Sequence, residues 1–501
     1  MMIACIPLAF GVGILLVLAA PRNEHGQKIA VATAISGLAL AIVSALPLAT
    51  SGVSIDAIAP DLGLLGSAPL LRLDGLSVPW VVATPLLALV VLAATPRALL
   101  ARANIVATLA TAAATEGVLL SRNAGLTALF WILAMVPGAV LVLRDKADRS
   151  HAKTYGVLTI GASIPMIAAV VLLAQAGARA GLDAPLDLDA LAGLSLPIGE
   201  QALPFAAALA AVAIRMGLFP FHVWLPPLAQ RGPVGVVGLL VGVHTGIFVV
   251  ARIVLPILPE ASAVAMPWVA DFALVACLWG AVLALVQTDL ARMLGFLAGS
   301  KAGMLLVGLA SLEHASLHGA LLQSVGSGAA FVGVLMVVRS IDARCGTRDV
   351  RRLGGLVTHM PRASAAFFLL AAASVGFPGS LAFVGEDLLI HGVLHAHPVV
   401  ATTLLLATAL NGITMFRSFC RAFLGRPAAR PRTAGPPLVD DLVPRERLAT
   451  SALIVLLVAF GLAPTPLLGA RRDHVDRMTA AVGREPIGGS LRHEGGSAAD
   501  R

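Results

Sequence analysis

Ile214-Arg215-Met216-Gly217-Leu218-Phe219-Pro220-Phe221-His222-Val223-Trp224-Leu225-Pro226-Pro227 is an apolar run broken by proline and carrying a cation at the break. A second such stretch lies in the other half: Gly376-Phe377-Pro378-Gly379-Ser380-Leu381-Ala382-Phe383-Val384-Gly385-Glu386-Asp387. A charge at an interrupted apolar helix is costly in a bilayer. It persists where the break is buried in protein or lines a polar path. A pair of breaks in corresponding halves of a chain marks a transporter-type fold.

The rest of the sequence agrees with a membrane setting. Of 501 residues, 58% are apolar and 12% charged, and the mean hydropathy is +0.91. Charges cluster between apolar runs of about 18–25 residues, long enough to span a bilayer. Cys5, Cys277, Cys345 and Cys420 are scattered without a C-x-x-C pair, which argues against iron–sulfur, zinc or disulfide frameworks. No Walker-A loop or G-x-G-x-x-G fingerprint is present. No cofactor is therefore expected in this chain. The net charge of +8 reads as basic cytoplasmic loops, not as a nucleic-acid surface. The first apolar run, from Met2, lacks a basic leader and reads as a retained helix.

About 14 spans are expected: 2–20, 29–50, 77–96, 103–121, 124–143, 155–176, 204–220 with an extension to about 230, 233–257, 265–287, 292–311, 317–339, 363–394 (broken), 398–424 and 448–470. Loops after odd-numbered spans carry Lys28, Arg97, Arg102, Lys146, Arg231, Arg352, Arg426, Arg430 and Arg432; those after even-numbered spans are mildly acidic. The bias places the odd loops in the cytoplasm and both termini outside, with the basic tail after Leu468 running against it. Spans four to eight and nine to thirteen each hold five helices with the fourth broken. An odd number of helices per repeat makes the two repeats inverted. The expected organisation is 1–102 (spans one to three), 103–257 and 258–424 (the repeats), 425–482 (linker and span fourteen), and a polar tail at 483–501. The fold class is an all-α polytopic membrane protein.

Five ionisable residues inside apolar runs are candidates for a proton pathway: Glu116, Arg215, His244, Lys301 and Glu386. Opposite charges sharing a hydrated channel offset one another's cost, and histidine is the natural carrier near neutrality. Each also has a structural reading. Arg215 could be a fixed counter-charge, since arginine does not deprotonate. His244 could be a hydrogen-bonded core histidine, Glu116 could face headgroups, and Lys301 could snorkel. Glu386 is the strongest candidate, because it follows the Gly-Phe-Pro-Gly break within two turns. Its neighbour Asp387 points about 100° away, towards a loop or partner.

At these residues the chain resembles the antiporter-like subunits of respiratory complex I, relatives of the Mrp antiporter and of membrane-bound hydrogenase subunits. The stretches that carry the likeness are Leu73-Asp74-Gly75-Leu76-Ser77, Phe219 to Pro226, Asp289-Leu290-Ala291-Arg292-Met293, Asp349 to Leu356, and Gly376 to Glu386. They cover the chain from near Leu73 to near Ala470. Phe383-Val384-Gly385-Glu386 looks like chain M, which has glutamate where chains L and N usually have lysine. The resemblance implies 14 helices in two inverted five-helix repeats, and proton translocation inside a larger complex in a bacterial-type inner membrane. Its partners would be other membrane and peripheral subunits and the lipid bilayer. Arg215 falls on the family's helix-seven lysine, His244 on the helix-eight lysine and Glu386 on the helix-twelve glutamate. The helix-five glutamate that pairs with the helix-seven lysine falls on Ile132. The helix-ten and helix-eleven histidines fall on Lys301 and Ser327. Glu116 would replace the missing acid if it reached Arg215.

Two other functions stay open at the level of sequence. One is a transporter component for inorganic carbon or for cations and protons. The other is a structural paralogue that does not conduct.

Overall fold

The computed structural model describes residues 2–51, 54–57, 69–96, 101–144, 149–425 and 440–483. Arg97, Lys146, Arg426, Arg430, Arg432 and the tail beyond Gly483 lie outside them. The first helices are α1 (Cys5–Ala19) and α2 (Asn23–Ser51), followed by α3 (Val78–Ala94), α4 (Arg102–Leu120), α5 (Ala124–Arg144) and α6 (Arg149–Arg179). Short α7 (Leu188–Ala192) precedes α8 (Ile198–Arg215). The one sheet among the described residues pairs β1 (Ile55–Ala57) with β2 (Leu71–Leu73), antiparallel. The described residues are otherwise helical or irregular.

Both breaks read from the sequence are present. After α8 the chain passes through Met216–Pro220 and a 3-10 turn, Phe221–Trp224, into α9 (Leu225–Arg231). The second break separates α16 (Pro361–Ser374) from α17 (Leu381–Ala396). Gly376 takes a positive φ there (+75°), Pro378 lacks an amide donor, and the Ser380 hydroxyl caps α17 by accepting from the Phe383 amide at 3.2 Å.

The span expected over 233–257 is not continuous. It divides into α10 (Val234–Gly242), α11 (Thr245–Val249), a π-helical turn at Val250–Val254 and α12 (Leu255–Ile257). The interruption is His244, at φ 50° and ψ 43°. A non-glycine residue in that left-handed region is uncommon and strained. Gly242 and Gly246 flank it, but no proline does and the run stays apolar on both sides, so periodicity gave no warning of it.

The remaining helices are α13 (Pro259–Val286), α14 (Leu290–Ala310), α15 (His314–Cys345), α18 (Pro398–Phe423), α19 (Pro444–Leu462) and α20 (Thr465–Ala481). The span expected over 448–470 ends early, at Leu462. The chain bends by 66° there. The basic stretch after Leu468 then continues as α20, whose sequence is too polar to cross a bilayer and whose buried side includes Arg471, Val475 and Met478.

Eleven helices among the described residues are long and apolar enough to cross a membrane, or 12 counting the bent α19–α20 pair. That is fewer than the 14 expected. The 17-residue α3 and the two halves α16 and α17 fall short of a full span individually. Helices separate into a centre and a rim. The apolar windows of α10–α12, α14 and α15 are entirely buried, whereas that of α1 is 28% buried. Trp268 of α13 and Phe416 of α18 are exposed, as suits rim helices in hydrocarbon. Lipid is as apolar as these side chains, so close backbone approach takes over as the packing force. At Gly385 of α17 a Cβ would collide with the Gln323 amide of α15. The glycine lets the two helices meet where the central polar cluster is built.

Candidate functional site: a buried polar chain across the broken helices

Three helices converge on Glu386 of α17. Its Oε2 lies 2.7 Å from Lys301 Nζ of α14 and accepts from Gln323 Nε2 of α15 at 2.9 Å. Its Oε1 accepts from the Thr408 hydroxyl of α18 at 2.5 Å. Lys301 and Glu386 are 7% and 4% exposed. Ion pairs of this kind are charge-assisted and strong, and desolvation makes the loss of either partner expensive. Lys301 therefore does not snorkel; its ammonium is spent on Glu386. Asp387 is exposed, on the side away from the cluster. Below Lys301, Asn411 Nδ2 donates to Ser300 Oγ at 2.9 Å.

The break beside Glu386 is part of the site. Gly376 has φ +75°, and a Cβ there would sit 2.8 Å from Glu386 Oε2. Glycine is thus required both for the turn and for room around the carboxylate.

His244 occupies the α10–α11 break, 6% exposed, with an Nδ1 that has no hydrogen-bond partner among the described residues. A cavity of about 30 Å³ lies between His244 and Lys301, lined also by Ser327, Ser374 and Asn411. A second, of about 20 Å³, lies between His244 and Arg215. Roughly 10–15 Å³ is enough for one water when polar partners are present. Both cavities meet that size, and His244 lines both. Water in them would link the imidazole to Lys301 on one side and to Arg215 on the other.

Arg215 ends α8. Its Nη1 donates to the Trp131 carbonyl at 2.8 Å, and its guanidinium stacks 4.3 Å from the Trp131 ring centroid. Nε and Nη2 have no partner among the described residues. Glu116 of α4 is fully buried, so it does not face headgroups, and neither of its carboxylate oxygens has a hydrogen-bond partner among the described residues. The structure connects Arg215, His244, Lys301 and Glu386 through two small cavities and one ion pair. It does not bring Glu116 into an ion pair with Arg215. Ile132, where the family resemblance places an acid, is the residue after Trp131, and the indole face takes up the guanidinium instead.

Sequence reasoning missed Gln323 and Thr408. The signal for Gln323 is an amide inside the 32-residue apolar α15. Thr408 carries none, because threonine in an apolar helix usually bonds to its own backbone.

A separate ionic cluster ties α20 to the start of α3. Asp74 receives Arg252 Nη1 at 2.5 Å and Nη2 at 3.0 Å, and His474 Nε2 at 3.2 Å. Burial opposes the charge on Asp74, but Arg252 and His474 outweigh it and hold the carboxyl well below its usual range. His314 Nε2 meets Asp476 Oδ1 at 2.8 Å, and Arg471 is buried over the Trp80 ring at 4.7 Å. At the neighbouring hairpin, the hydrogen bond from Arg72 lowers the Asp56 carboxyl.

Residues 121–411 match the family described as NADH:quinone oxidoreductase/Mrp antiporter, TM. The chain is 28% identical over 364 residues to NADH-quinone oxidoreductase subunit M of Pseudomonas aeruginosa, covering 70% of each. It is 27% identical to NAD(P)H-quinone oxidoreductase chain 4, chloroplastic, of Chaetosphaeridium globosum, covering 81% of this chain and 82% of that one. Its fold is similar to a chain of respiratory complex I from Thermus thermophilus, at a TM-score of 0.85 and 23% identity, covering 96% of this chain and all of that one. It is also similar to a chain of the Mrp complex from Dietzia sp. DQ12-45-1b, at 0.82 and 21%, covering 96% and 100%.

Proposed function

We propose a proton path through this chain, which belongs to the NADH:quinone oxidoreductase/Mrp antiporter family and is one of its antiporter-like, proton-translocating membrane subunits. The path runs from His244 through the intervening cavity to Lys301 and Glu386. The observation that carries it is the Glu386 cluster: a buried carboxylate at a helix break, held by two neutral donors and by one cation, Lys301, which lines a cavity shared with a histidine. Lys301 and Glu386 exchange a proton when the pair opens, and water relays it to the His244 imidazole. Arg215 is a fixed positive charge at the far end of the path, since a guanidinium keeps its protons. Arg215 thus contributes a field instead of a carrier, and His244 is the first repeat's carrier. Arg215→Lys should preserve translocation, and Arg215→Ala should abolish it.

Counting α3 and the broken α16–α17 pair each as a span gives about 14 crossings. Residues 103–257 and 258–424 then form two inverted five-helix repeats, each broken in its fourth member, with 1–102 and 425–482 flanking them. The chain works inside a multi-subunit complex of the quinone-oxidoreductase type in a bacterial inner membrane, with redox chemistry on partner chains. Affinity purification of the tagged chain in mild detergent, followed by mass spectrometry, tests that membership. Quinone-oxidoreductase or hydrogenase subunits support it. A lone soluble partner would move the chain to an inorganic-carbon or cation transporter.

A further inference from the structure

We propose that the cavity enclosed by the ends of α3, α4 and α10 and by α9 is a binding site for an amphipathic oxyanion, with a phosphate-type group at its cationic end. The cavity measures about 230 Å³ and is lined by two arginines, Arg231 and Arg339, with the Tyr155 hydroxyl nearby and no carboxylate among its described lining residues. Arg339 is 6% exposed. Its Nη2 donates to the carbonyls of Ala229 and Gly232 at 2.9 and 3.1 Å, which fixes the guanidinium plane, while its Nε has no partner among the described residues. Arg231 is exposed and stands at the mouth.

A third positive element points the same way. Gly232, Pro233, Val234 and Gly235 line the cavity, so the N-terminus of the nine-residue α10 opens onto it. The first amide of that helix to bond backwards is Val237, to Pro233 O at 3.0 Å; the amides of Val234, Gly235 and Val236 precede it. Unspent amides and the helix dipole favour an anion there. The buried Arg339 guanidinium adds donors that match phosphate oxygens. The remaining walls are apolar, with Leu92, Leu141 and Trp224 among them. They would bury an aliphatic body behind the charged head, as a lipid offers. The charge bias of the loops puts this end on the cytoplasmic side, where anionic headgroups abound. The site is independent of the proton path and stands or falls separately from it.

The test titrates the unfolding midpoint of the full chain in dodecyl maltoside. The probes are dioleoylphosphatidylglycerol, dioleoylphosphatidylcholine and sodium phosphate, all at constant ionic strength. Phosphatidylglycerol should raise the midpoint saturably, and phosphatidylcholine, whose choline the arginines repel, should not. Arg231→Glu and Arg339→Gln should each move half-saturation by roughly tenfold, the worth of one charge-assisted bond. If phosphate alone saturates with the same sensitivity to both variants, the ligand is a free oxyanion; if only the lipid does, it is a headgroup. The proposal is overturned if neither anion gives a saturable response, or if the response is unchanged by the substitutions. Should Arg339→Gln fail to fold, the exposed Arg231→Glu decides alone.

Discussion

Removing the ammonium of Lys301 while leaving Glu386 in place isolates the energy of the central pair. At 2.7 Å, two unit charges in an effective dielectric of about 20 attract by about 6 kcal/mol. Part of this is offset by what it cost to bury them. Gln323 and Thr408 still donate to the carboxylate in a Lys301→Met variant, so the charge is not wholly abandoned. Truncation of one partner of a buried pair typically costs about 3–5 kcal/mol, and that is the loss expected. Lys301→Met combined with Glu386→Gln removes both charges yet keeps an amide beside Gln323 and Thr408. The double variant should lie within about 1–2 kcal/mol of the wild type, because a well-packed neutral replacement of a buried pair is often close to neutral. The assay is denaturant unfolding of the full chain in detergent, read as a double-mutant cycle. A double variant as unstable as the sum of the two single ones would refute the coupling, and with it the claim that Lys301 is there for Glu386.

Three further outcomes follow from the geometry. Gly385→Ala places a methyl group against the Gln323 backbone; it should separate α17 from α15, destabilise the chain by about 1–3 kcal/mol and reduce proton flux. His244→Asn tolerates the left-handed backbone but cannot carry a proton, so reconstituted vesicles should show on the order of a tenfold or greater loss of translocation with the fold intact; unchanged flux would remove His244 from the path. Asp74→Asn should loosen α20, seen as faster amide exchange across Thr465–Ala481. Because the Asp74 carboxyl is lowered on folding from an ordinary 3.8, its contribution is complete above that value and fades only as the pH falls well below it. The stability gap between wild type and Asp74→Asn should accordingly be level from about pH 5 to 8 and close under strong acid.

Both breaks flanking Arg215 and Glu386 were legible because proline and glycine punctuate them, and the cost of charge in hydrocarbon makes Glu386 stand out. The His244 break was not, since the left-handed histidine sits in a wholly buried apolar run that no proline interrupts and whose Gly242 and Gly246 are ordinary in membrane helices. Lys301 was identified as ionisable, but its pairing with Glu386 joins residues 85 apart, and no local pattern encodes that. Gln323 and Thr408 escaped because neutral polar side chains are ordinary in membrane helices. Apolar length carried the reading of α19 too far. The run to 470 hid the bend after Leu462, and α20 is held by Asp74, Trp80 and His314, all distant in sequence.

Proton translocation by a Glu386→Gln variant in the assembled complex, reconstituted in vesicles and driven by the native redox partners, tests the central claim most directly. The amide keeps the contacts of Gln323 and Thr408 within reach but holds no transferable proton. The path proposed here predicts an intact complex with coupled translocation through this chain abolished. Wild-type pumping by that complex would contradict it and leave the Lys301–Glu386 pair as a structural bond between α14 and α17.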